Sequence, residues 1–162
     1  MKYKISVISG DGIGPEITKC SIGVMKSLED KLNIEFELLE IEAGDSALKN
    51  NGVALSDEAI DKIKTTNACI KAPVGESAME VIVKLRQLFD LYVNLRPAKS
   101  FPTVKSLDDD IDMLIVRENT EGEYSSVGGR MYQGTDREIA IQETIMSKKG
   151  IDRVQKFAFE LA

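Results

Sequence analysis

The 162-residue chain contains no histidine. That absence excludes a Ser-His-Asp triad within it, and any proton donor or acceptor must be Tyr, Lys, Asp, Glu or Cys. Cysteine is nearly absent too. Cys20 and Cys69 are far apart, form no CxxC and have no imidazole with which to share a metal, so both are expected as buried free thiols. No run of about 18 apolar residues occurs, which excludes a transmembrane helix, and Met1-Lys2-Tyr3-Lys4 leads into a strand-like segment rather than a signal-peptide core. The cytoplasm is the expected compartment. Positive charge is in the minority, with 21 Lys and Arg against 27 Asp and Glu, a net charge of -6. A sequence pI near 4.8 argues against a nucleic-acid partner, which needs a basic face.

What is present is a soluble globular composition, 43% hydrophobic and 30% charged, with no internal repeat. Lys4 to Ile8 reads as a buried strand. A glycine-rich turn follows, and then a helix from Glu16 to Leu32, whose apolar positions Ile17, Cys20, Val24 and Leu28 recur at helical spacing. Pro15 suits the first turn of that helix. Glu35 to Ile41 is a second strand, Ser56-Asp57-Glu58 a capped helix start, and Ala68 to Lys71 a third strand. This alternation predicts an α/β fold with a parallel sheet and helices packed on it. Ser77 to Leu91 carries a helical apolar face, Pro97 and Pro102 punctuate the chain, and Asp112 to Val116 reads as a strand. Beyond Gly128-Gly129, Arg137 to Thr144 alternates as a half-exposed antiparallel strand would, and Ile151 to Leu161 is a final helix. The domain boundary is expected at the prolines, giving units 1–99 and 100–162.

Two constellations bear on chemistry. Gly10-x-Gly12-x-Gly14 follows a strand, but a dinucleotide fingerprint needs a third glycine where Pro15 stands, so a Rossmann site is excluded and a tight structural turn is expected. The second is a set of guanidinium groups, Arg86, Arg96 and Arg117, with the phenol of Tyr124 close in sequence to the last. Guanidinium forks bind carboxylates bidentately and stay charged at physiological pH, so three of them in apolar surroundings call for a small polycarboxylate. Asp108-Asp109-Asp110 lacks calcium-loop spacing and reads as a solvated turn.

Three blocks, Gly10-Asp-Gly-Ile-Gly-Pro-Glu16, Leu85-Arg-Gln-Leu-Phe-Asp-Leu-Tyr-Val-Asn-Leu-Arg-Pro97 and Arg117-Glu-Asn-Thr-Glu-Gly-Glu-Tyr124, resemble the β-decarboxylating dehydrogenases that act on isopropylmalate, isocitrate, homoisocitrate and D-malate or tartrate. The resemblance implies an α/β fold of the isopropylmalate-dehydrogenase type, not Rossmann. It has helices on both faces of the first sheet, and a second α/β domain with a β-arm begins in residues 100–162. It also implies oxidation of a 2-hydroxy acid by NAD and loss of the β-carboxylate as carbon dioxide. Arg86, Arg96 and Arg117 would then clamp substrate carboxylates, and Tyr124 would protonate the enolate carbon. The apolar pair Ile82 and Val83 resembles the alkyl-recognising positions of isopropylmalate enzymes. Cues after Tyr124 resemble the D-malate/tartrate branch instead, and Gly75-Glu-Ser-Ala resembles archaeal isopropylmalate enzymes.

By the same resemblance, Pro73-Val74-Gly75-Glu76 lies near the nicotinamide ribose. The family's catalytic lysine and the aspartates that hold its Mg2+ or Mn2+ lie beyond residue 162, leaving no metal ligand in this chain. Its arms interlock two subunits, which implies a homodimer. A non-catalytic carboxylate-binding or interaction module is the competing expectation.

Overall fold

The computed structural model describes residues 1–162. The chain forms two compact units, Met1–Ile82 and Val83–Ala162.

In the first unit, β1 (Lys2–Ile8) is the central strand of a three-stranded parallel sheet, with β2 (Glu35–Glu40) on one side and β3 (Ala68–Lys71) on the other. The helix α1 (Gly14–Leu32) links β1 to β2, and α2 (Asp45–Asn51) and α3 (Asp57–Lys64) link β2 to β3. Crossovers between parallel strands are right-handed, and these two run in opposite directions across the sheet, so their helices cover opposite faces. The α/β expectation is met. Ile5, Val7 and Ile8 of β1, with Ile41, Leu55, Ile60, Ile63 and Val81, form the buried core. Ser56 caps α3 by accepting the Ala59 N–H at 3.1 Å, and Asp57 and Glu58 occupy its first turn.

Two expectations fail in this unit. The apolar stripe of α1 is solvent-facing, with Ile17 and Val24 41% and 61% exposed. The helix packs instead through Gly14 and Thr18, so the stripe chosen by hydrophobicity is a second face one step around the cylinder. Cys20 and Cys69 are free but exposed, not buried. The first lies on that outward face and the second on an edge strand. The seven-residue α2 went unread because a run of Asp, Ser, Lys and Asn carries no apolar period.

The second unit contains β4 (Val93–Lys99), antiparallel to β5 (Asp112–Glu118), and β6 (Gly122–Met131), antiparallel to β7 (Ile139–Ile145). The chain passes between units within α4 (Glu80–Leu88), shorter than expected because a single 3-10 turn, Glu76–Ala78, precedes it. Pro97 does not end a strand but pairs with Leu114 inside β4, where the missing N–H falls harmlessly on a strand with only one partner. The last helix, α5 (Lys148–Leu161), starts three residues early because Ser147 caps it, accepting the Gly150 N–H at 2.9 Å. Asp108 to Asp110 form an exposed turn closed by the Asp108 side chain.

Leu85 is the one buried hydrophobic side chain of this unit. Apolar residues of its ribbons, including Met113, Ile115, Ile139 and Ile141, stay about half exposed. No helix in either unit is long and apolar enough to cross a membrane.

Candidate functional site

Every residue of the segment Arg117 to Tyr124 has a local task. The segment ends β5, turns, and starts β6. Glu118 folds the turn onto itself, accepting the Thr120 N–H at 2.9 Å, its hydroxyl at 2.7 Å and the Glu121 N–H at 2.8 Å. Burial pushes that carboxyl up, but the Thr120 hydroxyl and the amides of the turn outweigh it and hold it below its ordinary range. Buried Asn119 donates to the Leu91 carbonyl at 3.0 Å. Glu121 accepts the Ser147 N–H and hydroxyl, both at 2.7 Å, and so holds the start of α5. A side chain on Gly150 would collide with it. Gly122 adopts φ 71°, a left-handed conformation that glycine enters without a steric cost.

This turn brings three of the expected site residues together. Arg117 Nη2 donates to the Tyr124 hydroxyl at 2.6 Å and to Glu123 Oε1 at 2.8 Å. Its guanidinium carbon is 5.3 Å from the Tyr124 ring centroid, and that of Arg86, arriving from α4, is 4.8 Å from it. The next residue, Gln87, donates to the Tyr124 carbonyl at 2.9 Å and ties α4 to the start of β6. Arg96 touches neither arginine nor the phenol. Its register partner is Ile115, and the neighbouring same-face pair is Asn94 with Arg117, so Arg96 and Arg117 share a face as diagonal neighbours, within reach of long side chains.

Two cations on one ring repel each other, and only Glu123 offsets them; Arg86 and Arg96 have no carboxylate in ion-pair range. The cluster thus retains positive charge that an anionic ligand would neutralise. With its oxygen accepting from Arg117, the phenol keeps its own proton for donation elsewhere. Arg117 and Tyr124 line an open groove of about 390 Å³ with the apolar Met146, Ile151 and Val154 and the carboxylates of Glu118, Glu121 and Glu123, which sets apolar surface beside Arg117, the one cation of the cluster that reaches it. Ile82 and Val83 are half-buried, while the buried positions of this stretch are Ala78, Val81 and Leu85.

In the first unit the Gly10 to Gly14 turn is a knot tied by Asp11, a residue that sequence reading passed over. Its carboxylate accepts the N–H groups of Asp45 at 2.8 Å, Ser46 at 3.1 Å and Gly75 at 2.9 Å, and the Ser46 hydroxyl at 3.2 Å. Burial pushes the Asp11 carboxyl up, yet the Gly75, Asp45 and Ser46 donors win and hold it below its ordinary range. A side chain at Gly10 would meet the Pro73 carbonyl at 1.9 Å, and one at Gly75 would meet Asp45 at 1.8 Å. The close approach that glycine permits at position 75 is therefore used by the chain itself. Pro73 and Glu76 are exposed, and Val74 is half-buried.

A family model described as isocitrate/isopropylmalate dehydrogenase matches residues 4–162. The chain belongs to that family. The 3-isopropylmalate dehydrogenase of Saccharolobus solfataricus is 46% identical over 144 residues, covering 89% of this chain and 42% of the relative. The tartrate dehydrogenase/decarboxylase of Pseudomonas putida is 39% identical, covering 99% of this chain and 48% of the relative. The crystal structure of isocitrate dehydrogenase from Methylococcus capsulatus superposes with a TM-score of 0.81 at 32% identity, covering 99% of this chain and 47% of that one. The chain spans less than half the length of these family members.

Proposed function

We propose that the chain is the N-terminal portion of an enzyme that oxidises and decarboxylates a malate-type 2-hydroxy acid with NAD, 3-isopropylmalate foremost. The observation that carries this reading is the cluster in which Arg86 and Arg117 face the Tyr124 ring and Arg117 holds its hydroxyl. Arg86, Arg117 and, on the same sheet face, Arg96 clamp the carboxylates and fix the substrate against the phenol. Once the 2-hydroxyl has become a ketone, the β-carboxylate leaves as carbon dioxide and Tyr124 delivers its proton to the enolate carbon. Bound NAD supplies the hydride acceptor. Pro73, Val74 and Glu76 would hold its nicotinamide end, the Gly75 N–H being committed to Asp11. A catalytic Mg2+ or Mn2+ would take its ligands from outside residues 1–162, as the family resemblance implies.

Ile82 and Val83 support the choice of 3-isopropylmalate, because a third substrate carboxylate placed against them would lose its polar partners, at about 1–3 kcal/mol per unpaired group. Relatives named 3-isopropylmalate dehydrogenase reach 46% identity, against 39% for the tartrate enzyme and 36% for the D-malate dehydrogenase of Escherichia coli. In the whole protein, residues 1–99 belong to the cofactor- and substrate-binding domain and 100–162 begin the domain through which two subunits pair. Turnover of 3-isopropylmalate, D-malate, tartrate and isocitrate by that protein tests the substrate. The highest kcat/KM is expected for 3-isopropylmalate, and a preference for isocitrate would overturn the role given to Ile82 and Val83.

A further inference from the structure

Arg153, on α5, reaches three other segments of its unit. Nη1 donates to both carboxylate oxygens of Asp90 at 2.8 Å each. Nη2 donates to the Thr120 hydroxyl at 2.8 Å and lies 3.9 Å from Glu118 Oε1. The guanidinium carbon sits 4.6 Å from the Tyr92 ring centroid, and that ring meets Phe157 edge-on. The side chain is only 21% exposed, and its Nε is buried without a partner. Such a group is not an ordinary surface ion pair. A planar fork with fixed donor directions specifies where its partners sit as well as attracting them.

Each partner adjoins a segment that carries a member of the anion cluster. Asp90 closes the turn that follows Arg86 on α4, and it does so at φ 46°, a left-handed conformation that costs energy for a residue with a Cβ. Glu118 is the neighbour of Arg117 on β5, and Thr120 lies in the turn that delivers Tyr124. We infer that Arg153 is a positioning residue for the cluster. It sets the register between the α4–β4 turn, the end of β5 and the start of β6, so that two guanidiniums converge on one phenol against their mutual repulsion. The inference rests on the reading of Arg86, Arg117 and Tyr124 as the substrate clamp, but its geometric part does not need turnover to be tested.

The test compares Arg153→Met, Arg153→Lys and Asp90→Asn in the full chain, by NMR of the arginine Nε–H groups. Both Arg86 and Arg117 lie over the Tyr124 ring, so its ring current displaces their signals. Arg153→Met, which keeps length without the fork, should collapse both displacements while the amide signals of β1 to β3 stay in place. Arg153→Lys, which keeps the charge alone, should restore little of them. In the complete protein the same Met substitution should raise KM for 3-isopropylmalate and lower kcat, together by roughly a hundredfold in kcat/KM, as a misplacement of about 1 Å can do. Unchanged Arg86 and Arg117 signals in Arg153→Met with an intact backbone spectrum would overturn the inference. If that variant loses its fold, Asp90→Asn decides by the same signals: retained displacements refute the role and lost ones support it. Absence of turnover by the unsubstituted protein would count against the proposed function alone, and the guanidinium spectra would still decide the positioning role.

Discussion

Glu123 holds the position that a bound carboxylate would compete for. It pairs with Arg117 at 2.8 Å while its own side chain is 67% exposed, so the pair itself adds little stability. Its charge matters more to a ligand. Glu123→Gln should lower KM for a dicarboxylate severalfold by removing that competitor, and a raised KM would show that Glu123 aligns Arg117 rather than occupying it. Asp11 is a different case, because four donors converge on it. Asp11→Ala should destabilise the first unit by about 2 kcal/mol or more, read as a shift in urea midpoint. The carboxyls of Asp11 and Glu118 are held below their ordinary values near 3.8 and 4.5. Their stabilisation is thus complete above those values and lost as pH falls through the lower folded ones. Thermal melts against pH should show this acid limb, and Asp11→Asn should flatten it. Motif context singled out Arg86, Arg117 and Tyr124 as candidates, and the structure brings these three together, but it did not single out Asp11, Glu118, Glu121 or Arg153. Those four act through backbone amides or contacts distant in sequence, which no local spacing reveals.

Among the elements, the parallel strands and α3 were legible because their signals are local: apolar runs for β1 and β3, a hydroxyl cap and first-turn acids for α3. The pairing of β4 with β5 was not, since Pro97 masks β4 and only the ladder shows that its N–H is dispensable. The side of α1 that packs was misread for a related reason: hydrophobic spacing identifies a stripe but not which of two stripes meets the sheet. The two units also differ in how they are held. β1 is buried at Ile5 to Ile8 between two partners, whereas every residue of β7 is exposed. Hydrogen exchange should therefore protect the β1 amides longest and release the outward amides of β7 first. Equal protection of both would contradict this account of the second unit.

At the scale of the whole molecule, the half-exposed ribbon residues Val127, Met131, Ile139, Ile141 and Ile145 present an apolar β surface with an open edge, which invites pairing. Size-exclusion with light scattering should find association of the 162-residue chain, and Ile139→Lys with Ile141→Lys should reduce it. A monodisperse monomer of 17.9 kDa would refute the ribbon as a pairing surface. The central claim, however, is that the arginine–tyrosine cluster performs the chemistry of a decarboxylating dehydrogenase. Its most direct test is Tyr124→Phe in the complete protein, with NADH formation and carbon dioxide release followed together on 3-isopropylmalate. The substitution keeps the ring beneath Arg86 and Arg117 and removes the hydroxyl, which is both the proton donor and the group that accepts from Arg117. The account predicts a kcat lower by about a hundredfold or more with KM within a fewfold of the unsubstituted value, and full turnover by Tyr124→Phe would contradict it.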